Sequence, residues 1–293
     1  MSLSFWLNPV NVYEFVRDFY YEKLKVADPR LDSFPLMSSP VPTAILIGLY
    51  LLFVLVGPRI MKNRQPVNVK IPMMIYNLSM VILSYYLFHE LLFGMLDANF
   101  TFLCDPIDYS NNPKALRLVS VCWLYYFSKF IEFTDTVFFI LRKKDNQVTI
   151  LHVYHHSSIA ALWWMWAKWG SGGTSCLAPC VNCGIHIVMY SYYFLSGLGP
   201  QVQKYLWWKK YITVMQLMQF VTTGLHTLYV TVTDCDYPNG LKITHMTYMI
   251  TLIILFSNFY IQSYSKGKKK PPPIVLPSEN GGPATSQTDK KHN

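Results

Sequence analysis

Seven stretches of predominantly apolar residues, at 41–58, 71–95, 116–141, 149–169, 175–198, 211–232 and 243–264, recur along this chain, each close to the roughly 20 residues that an α-helix needs to cross a bilayer core. With 52% hydrophobic and 16% aromatic side chains against 14% charged, 293 residues cannot clothe so much apolar surface in a solvated shell. Lipid is the expected solvent, and the expected fold is all-α: a polytopic membrane protein with seven transmembrane helices. Residues 1–24 lack the basic start, compact apolar core and small-residue cleavage site of a signal peptide. They mix Phe5, Trp6, Val12, Phe15, Val16, Phe19 and Tyr20 with Glu14, Arg17, Asp18 and Glu22 in a helical rhythm that suits an interfacial helix. Three regions follow: an N-terminal segment 1–36, a seven-helix membrane domain 37–265, and a tail 266–293.

The connections between spans carry an orientation signal. Arg59, Lys62, Arg64, Lys70, Arg142, Lys143, Lys144, Lys204, Lys209, Lys210, Lys266 and Lys268 to Lys270 gather on one side; the other side holds only Lys114, Arg117, Lys168 and Lys242. Cytosolic loops are enriched in Lys and Arg, so the richer side is expected in the cytosol, with the C-terminus there and the N-terminus across the membrane. The net charge of +9 is thus a topology signal, and its scatter between hydrophobic spans argues against a nucleic-acid partner. Cys104 and Cys235 both fall between spans on the non-cytosolic side, where disulfides persist, and are expected to pair. Cys122, Cys176, Cys180 and Cys183 lie in or beside spans as packing residues. The tail is rich in Lys, Pro, Ser and Gly and is expected to be disordered, with Lys290 and Lys291 resembling a dilysine retrieval signal.

Polar groups inside the spans carry the functional signal. Lys129, Glu132 and Asp135 stand within the third span, where each charge costs about 3 kcal/mol on insertion scales. Helical geometry puts them with Thr136 on one face that must look into the bundle. An internal salt bridge fixing helix registry is the plainer alternative. His152, His155 and His156 gather on one face of the fourth span; His186 continues a stripe with Asn182, Tyr190 and Tyr193 on the fifth; Thr213, Gln216, Gln219, Thr223 and His226 line the sixth. A lone His or Gln in such a span is more often a hydrogen-bonded packing residue, and His89 and His245, near the far surface, are read that way. Depth unites the rest. At 1.5 Å per residue, Glu132, Asp135, the three clustered histidines and the glutamines fall roughly 5 to 14 Å below the cytosolic helix ends, with Lys129 and His186 at about 18 Å. Four helices converge on one layer.

Two other chemistries compete. His-x-x-His-His boxes occur in membrane di-iron desaturases and hydroxylases, but those need about eight histidines in several boxes, and here His89, His226, His245 and His292 stand outside any box. Intramembrane charges also mark transporters and receptors, which do not call for so many titratable groups at one level.

Lys129-Phe-Ile-Glu132-Phe-Thr-Asp135-Thr136, His152-Val-Tyr-His155-His156, His186-Ile-Val-Met189-Tyr190-Ser-Tyr192-Tyr193 and Thr213-Val-Met-Gln216-Leu-Met-Gln219 resemble, in order and spacing, the four signature boxes of the very-long-chain fatty acid elongases. The likeness runs from about Leu36 to Lys266 and takes in Tyr205-Leu-Trp-Trp-Lys-Lys-Tyr and Asn258-Phe-Tyr-Ile-Gln. It implies a 3-oxoacyl-CoA synthase of the endoplasmic reticulum that condenses a long-chain acyl-CoA with malonyl-CoA and releases CoA and CO2. It also implies six helices enclosing a tunnel for the acyl chain, no cofactor beyond the two substrates, and as partners the bilayer, other enzymes of the elongation cycle and a second copy of the chain. Gln147 and Tyr154 look more like the branch acting on polyunsaturated chains.

Residue chemistry is compatible with this. Condensation needs an acyl acceptor, stabilisation of the enolate left by decarboxylation, and donors to the oxyanion. The boxes hold no Cys or soluble-enzyme-type Ser nucleophile, so His155 is read as the attacking group. His152 or His156 serves as its base or orienter, and Glu132 and Asp135 polarise them. His186, Gln216 and Gln219 are donors, Lys129 partners Glu132 or the malonyl carboxylate, and Asn182, Tyr190 and Tyr193 contact substrate. Arg142, Lys143, Lys204, Lys209 and Lys210 suit the CoA phosphates, although each also serves as a topology determinant. Which histidine attacks, and whether the mechanism is ping-pong or ternary, is open at this point.

Overall fold

The computed structural model describes residues 9–265; what the sequence suggests for Phe5, Trp6, the tail from Lys266, and Lys290 and Lys291 lies outside them. Among the described residues all regular structure is helical: α1 Pro9–Leu24, α2 Val41–Met61, α3 Lys70–Asp97, α4 Pro113–Ile131, α5 Phe133–Leu141, α6 Ile150–Gly170, α7 Leu177–Gly197, α8 Lys209–Val232 and α9 Asn239–Tyr260, joined by short loops and single helical turns. Three of these, α2, α3 and α9 with its extension to Tyr264, are long and apolar enough by length and composition to cross a membrane. The helices between α3 and α9 carry the charges, histidines and glutamines that dilute their apolar content.

Local chemistry sets the helix ends. The Asn112 side chain accepts the Lys114 N–H and Thr149 accepts that of His152, each satisfying a donor that the first turn leaves free. The third apolar stretch is not one continuous helix: α4 ends at Ile131 and α5 begins at Phe133, with Glu132 as the shared junction. Neither Pro nor Gly stands at that point, so no helix breaker announces the interruption in the sequence.

Each long helix sorts its faces. Along α3, Ile71, Ile75, Leu78 and Ile82 are exposed, while Met80, Leu87, Leu91 and Met95 are buried. An exposed Ile and Leu row at this spacing is what lipid contact requires. The most extensive helix contact is between α3 and α7, followed by α8 with α9. α3 and α4 approach so closely at Gly94 that a Cβ there would lie 2.8 Å from Leu118 Cδ2.

The two ends of the bundle differ. At one, the 62–69 and 142–149 connections meet, with Lys143 Nζ donating to the Lys62 carbonyl at 2.9 Å and the Val67 N–H to that of Leu141. At the other, residues 28–37 fold back over the helix ends. Trp123 and Trp164 donate their indole N–H groups to the carbonyls of Pro35 and Leu36, the Asp28–Arg30 ion pair is buried, and Lys168 meets Asp32. Leu31 and Met37 are fully buried there, so the chain joins the core ahead of α2. Cys104 and Cys235 form a disulfide at this same end, with Cα atoms 5.7 Å apart. α1 contributes no buried residue.

Candidate active site

The α4–α5 junction brings two carboxylates to two different sets of partners. Lys129 Nζ donates to Glu132 Oε1 at 2.6 Å, with both side chains 2% exposed, and His186 Nδ1 of α7 stands 3.5 Å from the same oxygen. Lys129 also lies over the Tyr125 ring, 4.1 Å from its centroid. A charge buried this deeply needs such compensation. Asp135, one turn on, instead accepts hydrogen bonds from Tyr76 at 3.1 Å and Tyr190 at 2.9 Å.

The histidines of α6 are packed against one another. The His152 and His156 ring centroids are 4.4 Å apart and those of His155 and His156 5.5 Å. His152 is oriented by a hydroxyl rather than by a carboxylate, since its Nε2 is 2.7 Å from Thr136 Oγ1, which in turn is 3.2 Å from the Tyr50 hydroxyl. Glu132 therefore addresses His186, and Asp135 addresses two phenols, in place of the expected contacts to His152 and His156. Neither His155 Nδ1 nor His156 Nδ1 has a hydrogen-bond partner, though both are buried.

A polar chain crosses from α4 to α8: Tyr125 donates to Asn182 Oδ1 at 2.7 Å, and Asn182 Nδ2 donates to Gln219 Oε1 at 3.4 Å. Gln216 points its amide at Met189 Sδ, 3.6 Å away, and Tyr193 packs edge-on against Tyr190. Lys129, His155, Asn182 and Gln219 line one internal cavity together with Ile159, Trp163, Phe220 and Leu252. Four reactive or donor groups thus border a void whose wall also carries Tyr125, Thr223, His245 and Tyr248 among apolar side chains. Among the described residues, no three His, Cys, Asp or Glu side chains are grouped so as to hold a metal ion.

The pattern of the ELO family, described as the GNS1/SUR4 family, matches residues 35–272 and so covers every residue of this constellation. The chain belongs to this family. Its relatives include very long chain fatty acid elongase 1 of Mus musculus, 48% identical over 278 residues that cover 94% of this chain and 98% of that one. Very long chain fatty acid elongase 4 of Homo sapiens is 46% identical over 86% of this chain and 80% of its own length. Very long chain fatty acid elongase 7 of Rattus norvegicus is 45% identical over 86% and 91%.

Within this ELO-family chain the basic residues stand apart from the histidine layer. Arg142 donates to Met73 Sδ at 3.2 Å, Lys143 to the Lys62 carbonyl, and Lys204 and Lys210 lie over the rings of their neighbours Tyr205 and Tyr211. Lys209 is exposed at the start of α8. All belong to loops or helix ends on the side of the bundle opposite the disulfide. Three residues of the site are not evident from the sequence: Tyr50, Tyr76 and Tyr125, phenols that fall outside the four polar stripes. A buried Tyr hydroxyl needs a partner, and that need was the available signal.

Proposed function

We propose that this chain elongates fatty acids as a 3-oxoacyl-CoA synthase, joining a long-chain or very-long-chain acyl-CoA to malonyl-CoA with His155 as acyl acceptor. The observation that carries this reading is the cavity on which His155, Lys129, Asn182 and Gln219 converge beside the apolar side chains of Ile159, Phe220 and Leu252. Family membership and the elongase names of the relatives support the same conclusion.

In the first half-reaction a His155 nitrogen attacks the thioester carbonyl. The C–N bond forms, the C–S bond breaks, and CoA leaves as its thiol with the imidazole proton. Malonyl-CoA then loses CO2, the electron pair of the broken C–C bond becomes an enolate, and the enolate carbon displaces His155 as an imidazolate, which takes one proton from solvent to return to imidazole. His152, fixed by Thr136, and His156 accept and return protons. Asn182 and Gln219 donate to the carbonyl oxygen as it gains charge. His186, held by Glu132, and Gln216 serve the enolate; Lys129 and Asp135 hold the layer in shape, and Tyr190 and Tyr193 flank the substrate. No cofactor takes part.

Seven helical spans, counting α4 and α5 as one, would place this layer on the cytosolic side of the endoplasmic reticulum membrane, with the disulfide end and N-terminus in the lumen. Arg142, Lys143, Lys204, Lys209 and Lys210 would then face the CoA phosphates. Six of the spans would enclose the acyl tunnel, the membrane domain would run 37–265, and a second copy of the chain and the remaining cycle enzymes would be its partners. Preference for polyunsaturated chains rests on Gln147 and Tyr154. Incubating purified protein with labelled malonyl-CoA and a panel of saturated and polyunsaturated acyl-CoAs tests the reading: label should appear in 3-oxoacyl-CoA, and its absence with every acyl-CoA would refute it.

A further inference from the structure

α3 is 28 residues long, about 42 Å, where a bilayer core is about 30 Å thick. The surplus lies at the disulfide end. There Arg117 donates to Glu90 Oε2 and to Asp97 Oδ2, both at 2.7 Å, and His89 meets Glu90 at 3.0 Å. Charged groups of this kind belong at the aqueous boundary rather than in hydrocarbon. The helix thus runs on for about 10 Å beyond Glu90 before it ends at Asp97.

Its end is capped by a turn in which Asn99 takes the left-handed conformation, with φ 57°. The Asn99 N–H donates to the Leu96 carbonyl and the Phe100 N–H to that of Met95, both at 3.0 Å, the paired bonds of a helix cap that most often has glycine at this position. Asparagine tolerates the same backbone and adds a side-chain amide. That side chain is exposed, as is Thr101 two residues on. Asn99-Phe100-Thr101 is an Asn-x-Thr sequence, the acceptor for N-linked oligosaccharide in a loop on the secretory side. The chain's other such sequence, Asn77-Leu78-Ser79, has its Asn buried within α3. Beside Asn99 opens a cleft of about 210 Å³, lined also by Phe100, Pro106, Asp108 and Lys114, with room for a first sugar against the loop. In the folded loop the Thr101 hydroxyl is engaged: it donates to Asp105 at 3.1 Å and accepts the Leu103 and Cys104 N–H groups at 3.2 and 3.3 Å. The acceptor is therefore open to a transferase while the chain is still entering the lumen, before Cys104 pairs with Cys235 and the loop closes.

We propose that Asn99 is a site of N-glycosylation, carrying an N-acetylglucosamine-based oligosaccharide at the lumenal rim of the bundle. Asn99 Nδ2 bonds to C1 of the first sugar and gives up a proton. The bond from that C1 to the oxygen of a polyprenyl diphosphate breaks, and the diphosphate leaves with the electron pair. This rests on the proposed orientation, which puts the disulfide end in the lumen with the lipid-linked donor.

The test expresses the full chain in animal cells and digests it with peptide-N-glycosidase in heavy-oxygen water. Wild type should migrate faster after digestion and show Asn99 converted to heavy-oxygen-labelled Asp. Asn99→Gly, which keeps the helix cap, and Thr101→Ala should both lose the shift, and Thr101→Ser should retain it. Asp108→Asn, ahead of Tyr109 and Ser110, places a second acceptor in the same loop and, combined with Asn99→Gly, reports the side on which the loop lies. A shift in that double variant with Asn99 unmodified in wild type would overturn this inference alone. A shift that survives Asn99→Gly by itself would put the sugar on another residue and overturn it as well. No shift in wild type or in the double variant would place the loop in the cytosol, and the proposed orientation would fall together with the glycosylation site.

Discussion

Thr136 Oγ1 stands 2.7 Å from His152 Nε2, and the Tyr50 hydroxyl, three helices earlier in the sequence, lies 3.2 Å from the same threonine oxygen. This relay fixes the ring of His152 and one of its nitrogens. Thr136→Val should therefore lower kcat by roughly three- to tenfold, the worth of one buried hydrogen bond, while KM for acyl-CoA stays close to wild type. Tyr50→Phe should give a smaller loss in the same direction. A pure rise in KM would show that the relay shapes binding rather than the histidine.

The Lys129–Glu132 pair is buried on both sides. Removing one charge strands the other, so Lys129→Met and Glu132→Gln should each destabilise the protein by about 3–5 kcal/mol, and the double variant by less than either. Thermal unfolding in detergent monitors this. A double variant no more stable than the two singles would show that the charges do not depend on each other.

His155→Ala should abolish condensation while leaving a folded protein that binds acyl-CoA, because a nucleophile acts in bond making. Its loss should lower the rate by about a hundredfold or more. Lys209→Ala should instead raise KM severalfold with little change in kcat, as a phosphate contact contributes nearly uniform binding. Rapid quench with labelled acyl-CoA alone is decisive for the covalent step: wild type should release CoA in a burst and keep acid-labile label on the peptide bearing His152 to His156. Release of CoA only after malonyl-CoA is added would replace the acyl-imidazole with a ternary condensation.

Chelated protein should retain full condensing activity, in air and without oxygen, because imidazoles and amides carry the steps. Activity lost on chelation and restored by Fe²⁺ would return the di-iron alternative.

Orientation is read by thiol chemistry and mass mapping. Non-reducing digestion should recover Cys104 and Cys235 in one linked peptide pair, and a cytosol-restricted thiol reagent should not reach either after mild reduction. Labelling from the cytosol would reverse the proposed topology.

Much of the architecture was legible because helix period and apolar length are local properties. The boundaries expected for α2 and α3 lie within a few residues of those observed. The four polar stripes also meet in one layer, because depth along a helix follows from residue count. What stayed hidden depends on which helices are neighbours. His152 takes its partner from Thr136, and Asp135 takes Tyr76 from α3 and Tyr190 from α7, choices that no single helix period contains. The break at Glu132 has no Pro or Gly beside it to mark it. Lys242 entered only as a member of the sparse basic side, since its burial and its bond to the Cys235 carbonyl exist only in three dimensions.

The Cys104–Cys235 bond and the Thr174–Asp105 backbone contact tie together the loops beside the cavity lined by Trp163, Trp166, Ser175 and Tyr237. Under the proposed reaction, an acyl chain growing from the histidine side toward this end would meet loops that a covalent clasp keeps from parting. Each two-carbon addition would then press on a stoppered barrel, and loosening the clasp should let longer products through.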